Sequence, residues 1–287
     1  MVVALLVPGD PLDPRRVDPH FAAEAGSARD AGAGVARIDH DALLRGDACA
    51  AVARVPRGLG RVFYRGWMIP SPDYRALDAA LRDRGVELVT SPDAYARAHE
   101  LPGWYAVFRE LTPVSVWLPL APATMPDTGE LAALAAGLPP GAAVVKDWVK
   151  SRKYEWDTAC FVPDLADTAH LTGVAEAFVR GQDEFLTGGV VLRAYEDFTG
   201  TEARVWWVRG EPVLVTPHPD TPEALAEPEI GADVRAAVAE LDVAFVTTDL
   251  ALRADGRWRV VEVGDGQVSD RAAGVAPELL LEPLLMP

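Results

Sequence analysis

Cysteine is scarce: Cys49 and Cys160 are the only two in 287 residues. Two thiols so far apart make neither a disulfide framework nor a metal-binding spacing. They are expected to be reduced and structural, in a cytoplasmic protein. No apolar run approaches the roughly 18 residues of a membrane span, so no membrane partner is expected. The opening MVVALLVPGD lacks a basic n-region and a small-residue cleavage site, and reads as a first strand. Positive charge is short too, with 27 Lys and Arg against 43 Asp and Glu and a net charge of −16. Nucleic-acid backbones reward clustered cations, so no nucleic-acid partner is expected. The first strand leads into VPGDP, not into a G-x-G-x-x-G dinucleotide fingerprint. The five histidines (His20, His40, His99, His170, His218) are scattered, and no Ser-His-Asp or Cys-His nucleophile set is visible. Each is expected to be structural or exposed.

What remains is an ordinary globular composition, 49% hydrophobic and 24% charged, long enough for one large domain or two. The first third alternates short apolar runs (VVALLV, GVARID, GRVFY, VELVT) with helical stretches. In SPDYRALDAALRDRG, Ser71 is the expected N-cap, Pro72 the first helical position and Gly85 the stop. SPDAYARAHELPGWYAVF repeats that opening. Strand–helix alternation at this spacing implies a parallel sheet covered by helices. A Pro-rich stretch, LTPVSVWLPLAPATMPDTG, places a domain boundary near residue 112. Beyond it the chain is richer in hairpins, an α+β arrangement.

The last hairpin, AFVTTDLALRADGRWRVVEVGDG, carries the first chemical signal. Asp255-Gly256 is a strong two-residue turn. A symmetric turn there pairs Ala254 with Arg257 and, five residues further along each strand, Asp249 with Glu262. Like charges about 5 Å apart at Cβ destabilise a hairpin unless something compensates. A divalent cation such as Mg²⁺ would do so, and Asp265 just past the strand could add an oxygen. A shared proton, pairing with Arg253, or a one-residue slip are the structural alternatives.

Two other stretches bear cations. VVKDWVKSRKYEWD gathers Lys146, Lys150, Arg152 and Lys153, either a triphosphate cradle or a solvated turn. VVLRAYEDFTGTEARVWWV puts Arg193 in an apolar run, and period 2 sets Glu202, Arg204 and Trp206 on one strand face. Arg204 could be half of an ion pair or a guanidinium positioned for a transferring phosphoryl group. Arg65, in FYRGWMIP, ends a strand where α/β sheets present ligands. It would bind a substrate carboxylate or bridge domains.

In this order, the motifs VVKDWVKSRKYEW, LRAYEDFTGTEARVWWV, TTDLAL and VVEVGDGQVS resemble the ATP-grasp superfamily, and more closely its clade named for one arginine and two lysines. FYRGWM and HELPGWY are similar to what precedes the grasp there, so the resemblance covers most of the chain. It implies an N-terminal parallel, Rossmann-like pre-ATP-grasp α/β domain over 1–112. An ATP-grasp α+β domain over 113–287 would follow, its small half about 113–190 and its large half about 191–287. Members of the superfamily hold Mg-ATP between two α+β halves. Carried over, Lys146 and one of Lys150 or Lys153 contact ATP phosphates. Arg193 is the clade's arginine on the strand entering the nucleotide cleft, and backbone of Ala194, Tyr195 and Glu196 lies near adenine. Arg204 faces the γ-phosphate, Glu202 lies near nucleotide or metal, and Asp249 and Glu262 hold Mg²⁺. Lys153, Arg193 and Arg204 form the catalytic set. The chain departs from many ATP-grasp proteins in having no glycine in DWVKSRKYEWD. Gly264 also stands where an Asn commonly follows the metal Glu, with Asp265 the nearest substitute.

The implied activity is an ATP- and Mg²⁺-dependent carboxylate–amine ligase working through an acyl phosphate, on small-molecule or peptide acids and amines. The same inventory fits a small-molecule kinase, or a non-catalytic nucleotide-binding module.

Overall fold

The computed structural model describes residues 3–222 and 227–286. Val2, expected at the start of the first strand, lies outside them. The chain divides into two compact units. The first takes Met1–Ala98, Thr201–Leu250 and Glu262–Pro287, and the second His99–Gly200 and Ala251–Val261.

In the first unit, β1 (Ala4–Pro8), β2 (Val35–Ile38), β3 (Gly60–Tyr64) and β4 (Val86–Leu88) form an all-parallel sheet in the order β2-β1-β3-β4. Both faces of this sheet are buried. Leu6, Val62 and Tyr64 point into one apolar cluster, and Leu5, Val7 and Phe63 into another. That is the period-2 alternation of a strand covered on both sides, which explains continuous apolar runs such as ALLV. The two Ser-Pro-Asp openings behave differently. Ser91 caps its helix, its Oγ accepting from Ala94 N. Ser71 instead begins the helix Ser71–Arg82 after Pro70, with no side-chain cap. The expected Ser71 cap is therefore corrected: Pro70 takes the N-cap position and Pro72 stays in the first turn, where its missing N–H costs nothing. Gly85, at φ +70°, does end that helical segment as expected.

The second unit holds an antiparallel sheet in the order β5-β8-β6-β7, from β5 (Ser115–Pro119), β6 (Ala143–Lys146), β7 (Phe161–Val162) and β8 (Gly189–Ala194). Its core is sealed by helix Thr168–Gln182 through Val174, Phe178 and Val179, and by helix Thr128–Ala135 through Leu131.

The remaining strands, β9 (Phe198–Val208), β10 (Glu211–Pro217), β11 (Phe245–Arg253) and β12 (Trp258–Asp265), form a sheet ordered β10-β9-β11-β12. The β9–β10 hairpin turns at Arg209-Gly210, both left-handed (φ +54° and +82°), as a tight primed turn requires. Its ladder shifts by one between Pro212 and Leu214. Pro212 has no N–H to give the ladder, and a bulge is where a strand tolerates that. The α/β and α+β parts expected from the sequence are both present. A C-terminal helix, Glu278–Leu285, was not anticipated from its sequence, and it buries Leu280, Leu281 and Leu284. No helix of the described residues is long and apolar enough to cross a membrane.

Candidate functional site

Arg204 on β9 and Asp249 on β11 form a two-pronged ion pair in the first unit. Nε donates to Oδ1 and Nη2 to Oδ2, both at 2.8 Å, while Nη1 donates to the Asp270 carbonyl at 3.0 Å. Arg204 is 8% exposed and Asp249 2%. Burial disfavours the Arg204 cation, but the charge and hydrogen bonds of Asp249 outweigh it. Glu262 and Glu202 add to that pull, and together they hold the guanidinium above its ordinary range.

The side chains around that pair are acidic. Glu202, His218 and Asp249 offer ligand atoms that all lie within 4.8 Å of one another. His218 Nε2 sits 3.6 Å from Asp249 Oδ2. His218 reaches this place because of the Pro212 bulge. The β9–β10 register runs Thr216↔Arg204 and Pro217↔Ala203, so the next position brings His218, rather than Pro217, to Glu202. Nothing in the local sequence around His218 signals this.

Glu262 comes in from β12. The turn is not the symmetric two-residue one expected from Asp255-Gly256. Arg253 N donates to Arg257 O and Gly256 N to Arg253 O, with Gly256 at φ +85°, so the loop is three residues closed by a glycine bulge. At the far end, Gly266 N donates to Phe245 O, and a Cβ on Gly264 would lie 3.0 Å from Thr247 Oγ1. These are the partners the sequence reading assigns. Period 2 then carries Glu262 and Asp249 to the face of Gly264 and Thr247, where both act on Arg204.

Asp265 points inward. It is fully buried, its Oδ1 accepting from Gln267 N at 2.9 Å and Gln267 Nε2 at 3.0 Å. Burial pushes its carboxyl up to about 7, against the pull of the Gln267 hydrogen bonds. The whole Gly-Asp-Gly-Gln loop is pinned to the parallel sheet. Gln267 Oε1 accepts from Tyr64 N, Gln267 Nε2 donates to Tyr74 Oη, and Arg65 Nη1 donates to the carbonyls of Gly266, Gln267 and Ser269. Arg65 also grips Glu24, Nε to Oε2 at 2.7 Å and Nη2 to Oε1 at 2.8 Å. At 1% exposure, Arg65 has an internal carboxylate where a substrate's was expected, and it acts as a bridge.

The second unit holds the other expected residues. Lys146 ends β6, is 6% exposed, and pairs in a bridge with Ser151 across a tight turn. Asp147, fully buried, builds that turn: Oδ1 accepts from the backbone N–H of Val149 and Lys150, and Oδ2 from Gln182 Nε2 and Thr187 N. Lys150 and Lys153 are exposed. His99 is close enough to feel Lys150 and Lys146. Burial, then those two charges, pull its imidazole down to about 4. Burial of Cys160 pushes its thiol up to about 11, which fits a structural cysteine.

Arg193 is a buried strut of the second unit. Nε donates to Ser115 Oγ and Nη1 to Val261 O, and the guanidinium lies 5.9 Å from the Trp104 ring centre. Beyond it, Tyr195 packs edge-on against Phe161 and Trp156, which stack on each other at 5.0 Å. The Glu196 carboxylate is taken by Arg259 and Arg253.

The donor set in the first unit fits a hard divalent cation. Three carboxylates bear on one guanidinium, and the excess negative charge at close range invites a further cation with oxygen ligands.

Three solved structures show the same fold. A D-cycloserine synthetase, DcsG, is 16% identical, with TM-score 0.63 over 99% of each chain. A RimK domain protein ATP-grasp from Sphaerobacter thermophilus is 13% identical, TM-score 0.62, over 99% of this chain and 100% of that one. The ATP-grasp ligase PsnB, complexed with precursor peptide PsnA2 and AMPPNP, is 15% identical, TM-score 0.54, over 99% and 97%. No curated protein sequence matches. A family model for an ATP-grasp domain, family 3 of the clade named for one arginine and two lysines, matches residues 134–284, more than half of the chain. The chain belongs to family 3 of that ATP-grasp clade.

Proposed function

We propose that the protein is an ATP- and Mg²⁺-dependent ligase that joins a carboxylate to an amine, releasing ADP and phosphate. The observation that carries this reading is Arg204, held by both oxygens of Asp249 amid Glu202, His218 and Glu262. A buried, permanently charged guanidinium with an acidic surround is suited to meet a phosphoryl group that arrives with its own cation.

Asp249 and Glu262, with Glu202 beside them, would hold Mg²⁺, which supplies charge neutralisation and orientation of the phosphate oxygens. Lys146, together with Lys150 or Lys153, neutralises the remaining phosphate charge. Asp147 holds the backbone between Lys146 and Lys150, so the turn that carries the two lysines is set before any ligand binds. Arg204 stabilises the charge that develops on the γ-phosphoryl group.

A substrate carboxylate oxygen attacks that phosphorus, a C–O–P linkage forms, and the bond to ADP breaks. The amine nitrogen then attacks the carbonyl carbon. A C–N bond forms, the C–O bond to phosphate breaks, and the nitrogen loses a proton. No side-chain nucleophile is needed, which agrees with the lack of a triad in the sequence. The scheme assigns no metal role to Asp265, whose Oδ1 is committed to Gln267.

Calorimetry with ATP and ADP, with and without Mg²⁺, tests the reading. The wild type should bind in a magnesium-dependent way, and Glu262→Gln alone and Asp249→Asn with Glu262→Gln should lose that dependence. A folded wild type that ignores nucleotide under both conditions overturns the proposal. Incubation with acids and amines then separates the chemistry: ADP release with an amide product supports the ligase, whereas a stable phosphorylated alcohol identifies a kinase.

A further inference from the structure

A second feature of the first unit lies away from Arg204. The segments that follow β1 and β2, together with Trp67 just beyond β3, enclose a cavity of about 260 Å³. It stands at the carboxyl ends of parallel strands. In the order β2-β1-β3-β4 the chain steps to opposite sides of β1, and a crevice at such a switch is where open α/β sheets take ligands.

The lining is charged on both signs, and the two signs do not close on each other. Arg37, Arg45 and Arg54 reach the cavity, and none has an ion-pair partner among the described residues. The Nε of Arg37 and the Nδ1 of His40 are buried and make no hydrogen bond among the described residues. Four aspartates line the same space. Asp18 is spent on His20 N and the Trp67 indole, and one oxygen each of Asp10 and Asp39 is spent on backbone N–H groups. Asp41 is exposed and makes no side-chain hydrogen bond among the described residues. Burial lowers the His40 imidazole against the pull of Asp41, Asp18 and Asp39, so it faces the cavity neutral at neutral pH.

Three guanidiniums against four carboxylates leave the lining nearly balanced. A polyanion such as a triphosphate would meet as much repulsion as attraction. A ligand that carries one charge of each sign satisfies both halves. The volume lies just under the usual range for drug-sized ligands, about 300–1,000 Å³. Trp67 is 41% exposed and rests on His20 and Phe21, at 4.7 and 5.1 Å between ring centres, giving the cavity an apolar wall.

We propose that this cavity binds a free α-amino acid as its zwitterion, the carboxylate on Arg37 and Arg54 and the ammonium toward Asp41 and the free oxygens of Asp10 and Asp39. Binding itself stands apart from the ligase reading. That the bound amino acid is one of the two substrates joined rests on that reading.

The test is calorimetry on the full chain with a panel of α-amino acids, run without nucleotide and again with Mg²⁺ and a non-hydrolysable ATP analogue. At least one amino acid should bind. Its analogue lacking the ammonium and its analogue lacking the carboxylate should each bind about tenfold or more weakly, the usual loss for a charged hydrogen-bonded partner. Arg37→Gln and Arg54→Gln should lose a similar factor for the amino acid while binding nucleotide like the wild type. Arg54 is exposed, so its variant carries the test if Arg37→Gln misfolds.

Three results overturn the proposal. In one, no amino acid binds under either condition. In another, the acid without its ammonium binds as well as the amino acid. In the third, Arg54→Gln binds like the wild type. The ligase reading fails separately: amino-acid binding that survives in Asp249→Asn with Glu262→Gln, in a chain whose wild type ignores ATP, would leave this site standing and remove that reaction.

Discussion

The Arg204 cluster and the Lys146–Glu155 segment are both assigned to phosphate, yet they are built on opposite electrostatic plans. Around Arg204, a buried guanidinium is clamped by one carboxylate and flanked by two more, so anions outnumber the cation. Along Lys146–Glu155 four cations stand against two anions in a chain of net charge −16. One of those anions, Asp147, is consumed by backbone N–H groups. The first arrangement is stable when empty because its cation has a partner within the fold. The second keeps Lys150 and Lys153 exposed, and burial followed by the charges of Lys150 and Lys146 disfavours the nearby His99 cation. A matched site ties its ligand residues to stability. An exposed lysine such as Lys150 ties its charge to the fold far less, so changing it should cost little stability.

The largest effect should come from cutting a matched pair. Asp249→Ala leaves Arg204 charged, buried and without its main partner, which costs about 3–5 kcal/mol in comparable pairs. Chemical denaturation measures it, and a loss under about 1 kcal/mol would show that the pair is not coupled to folding. Arg65–Glu24 sharpens the point, since it is likewise buried and two-pronged but has no part in the proposed nucleotide binding. Glu24→Ala should destabilise by a similar amount. Nucleotide binding by the fraction that stays folded should be unchanged, whereas Asp249→Ala loses both.

Next in size is a pH effect. The folded His99 imidazole titrates at about 4, against an ordinary 6.5, because burial and then Lys150 and Lys146 disfavour its cation. Between those values the unfolded chain binds the proton and the folded chain does not. The contribution is therefore fully present above pH 6.5 and is lost as pH falls toward 4. Over that interval it amounts to about 3 kcal/mol. Stability measured from pH 7 to pH 4 should fall less steeply in His99→Gln than in the wild type. Parallel curves would place His99 in contact with water.

Much of this contrast is legible in the sequence. Period 2 along TEARVWW set Glu202, Arg204 and Trp206 on one face, and the Asp-Gly turn signal located the last hairpin. What escaped were consequences of backbone irregularity. The glycine bulge at Gly256 shifts pairing near the turn, and the far-end register returns to the one a simple turn would give. His218 was read as unremarkable because its neighbour, Glu202, lies across a ladder displaced by the bulge at Pro212. Asp265 and Arg65 were read as ligand-facing from their places at strand ends. Both are drawn inward around the Gly-Asp-Gly-Gln loop, whose partners Tyr64, Arg65 and Tyr74 are some two hundred residues away in sequence. The second glycine of that loop has a packing reason: a Cβ on Gly266 would stand 2.7 Å from the Phe245 ring. Gly266→Ala should accordingly cost about 1–3 kcal/mol by overpacking, read from its unfolding midpoint.

The smallest stability effect belongs to Lys150. Lys150 is exposed and makes no ion pair among the described residues, so Lys150→Ala should change stability at pH 7 by no more than about 0.5 kcal/mol. The same substitution removes the larger of the two charges acting on His99, and the acid transition attributed to His99 should move upward in pH. If Lys150 also meets phosphate, ATP affinity should drop about tenfold in the same variant. The two readouts together separate the possibilities. A shifted acid transition with unchanged ATP binding would leave the phosphate role to Lys153, while an unchanged transition would mean that Lys150 points away from the His99 side of the turn. Both shifts in one otherwise stable protein are what an uncompensated cation held ready for an anion should produce.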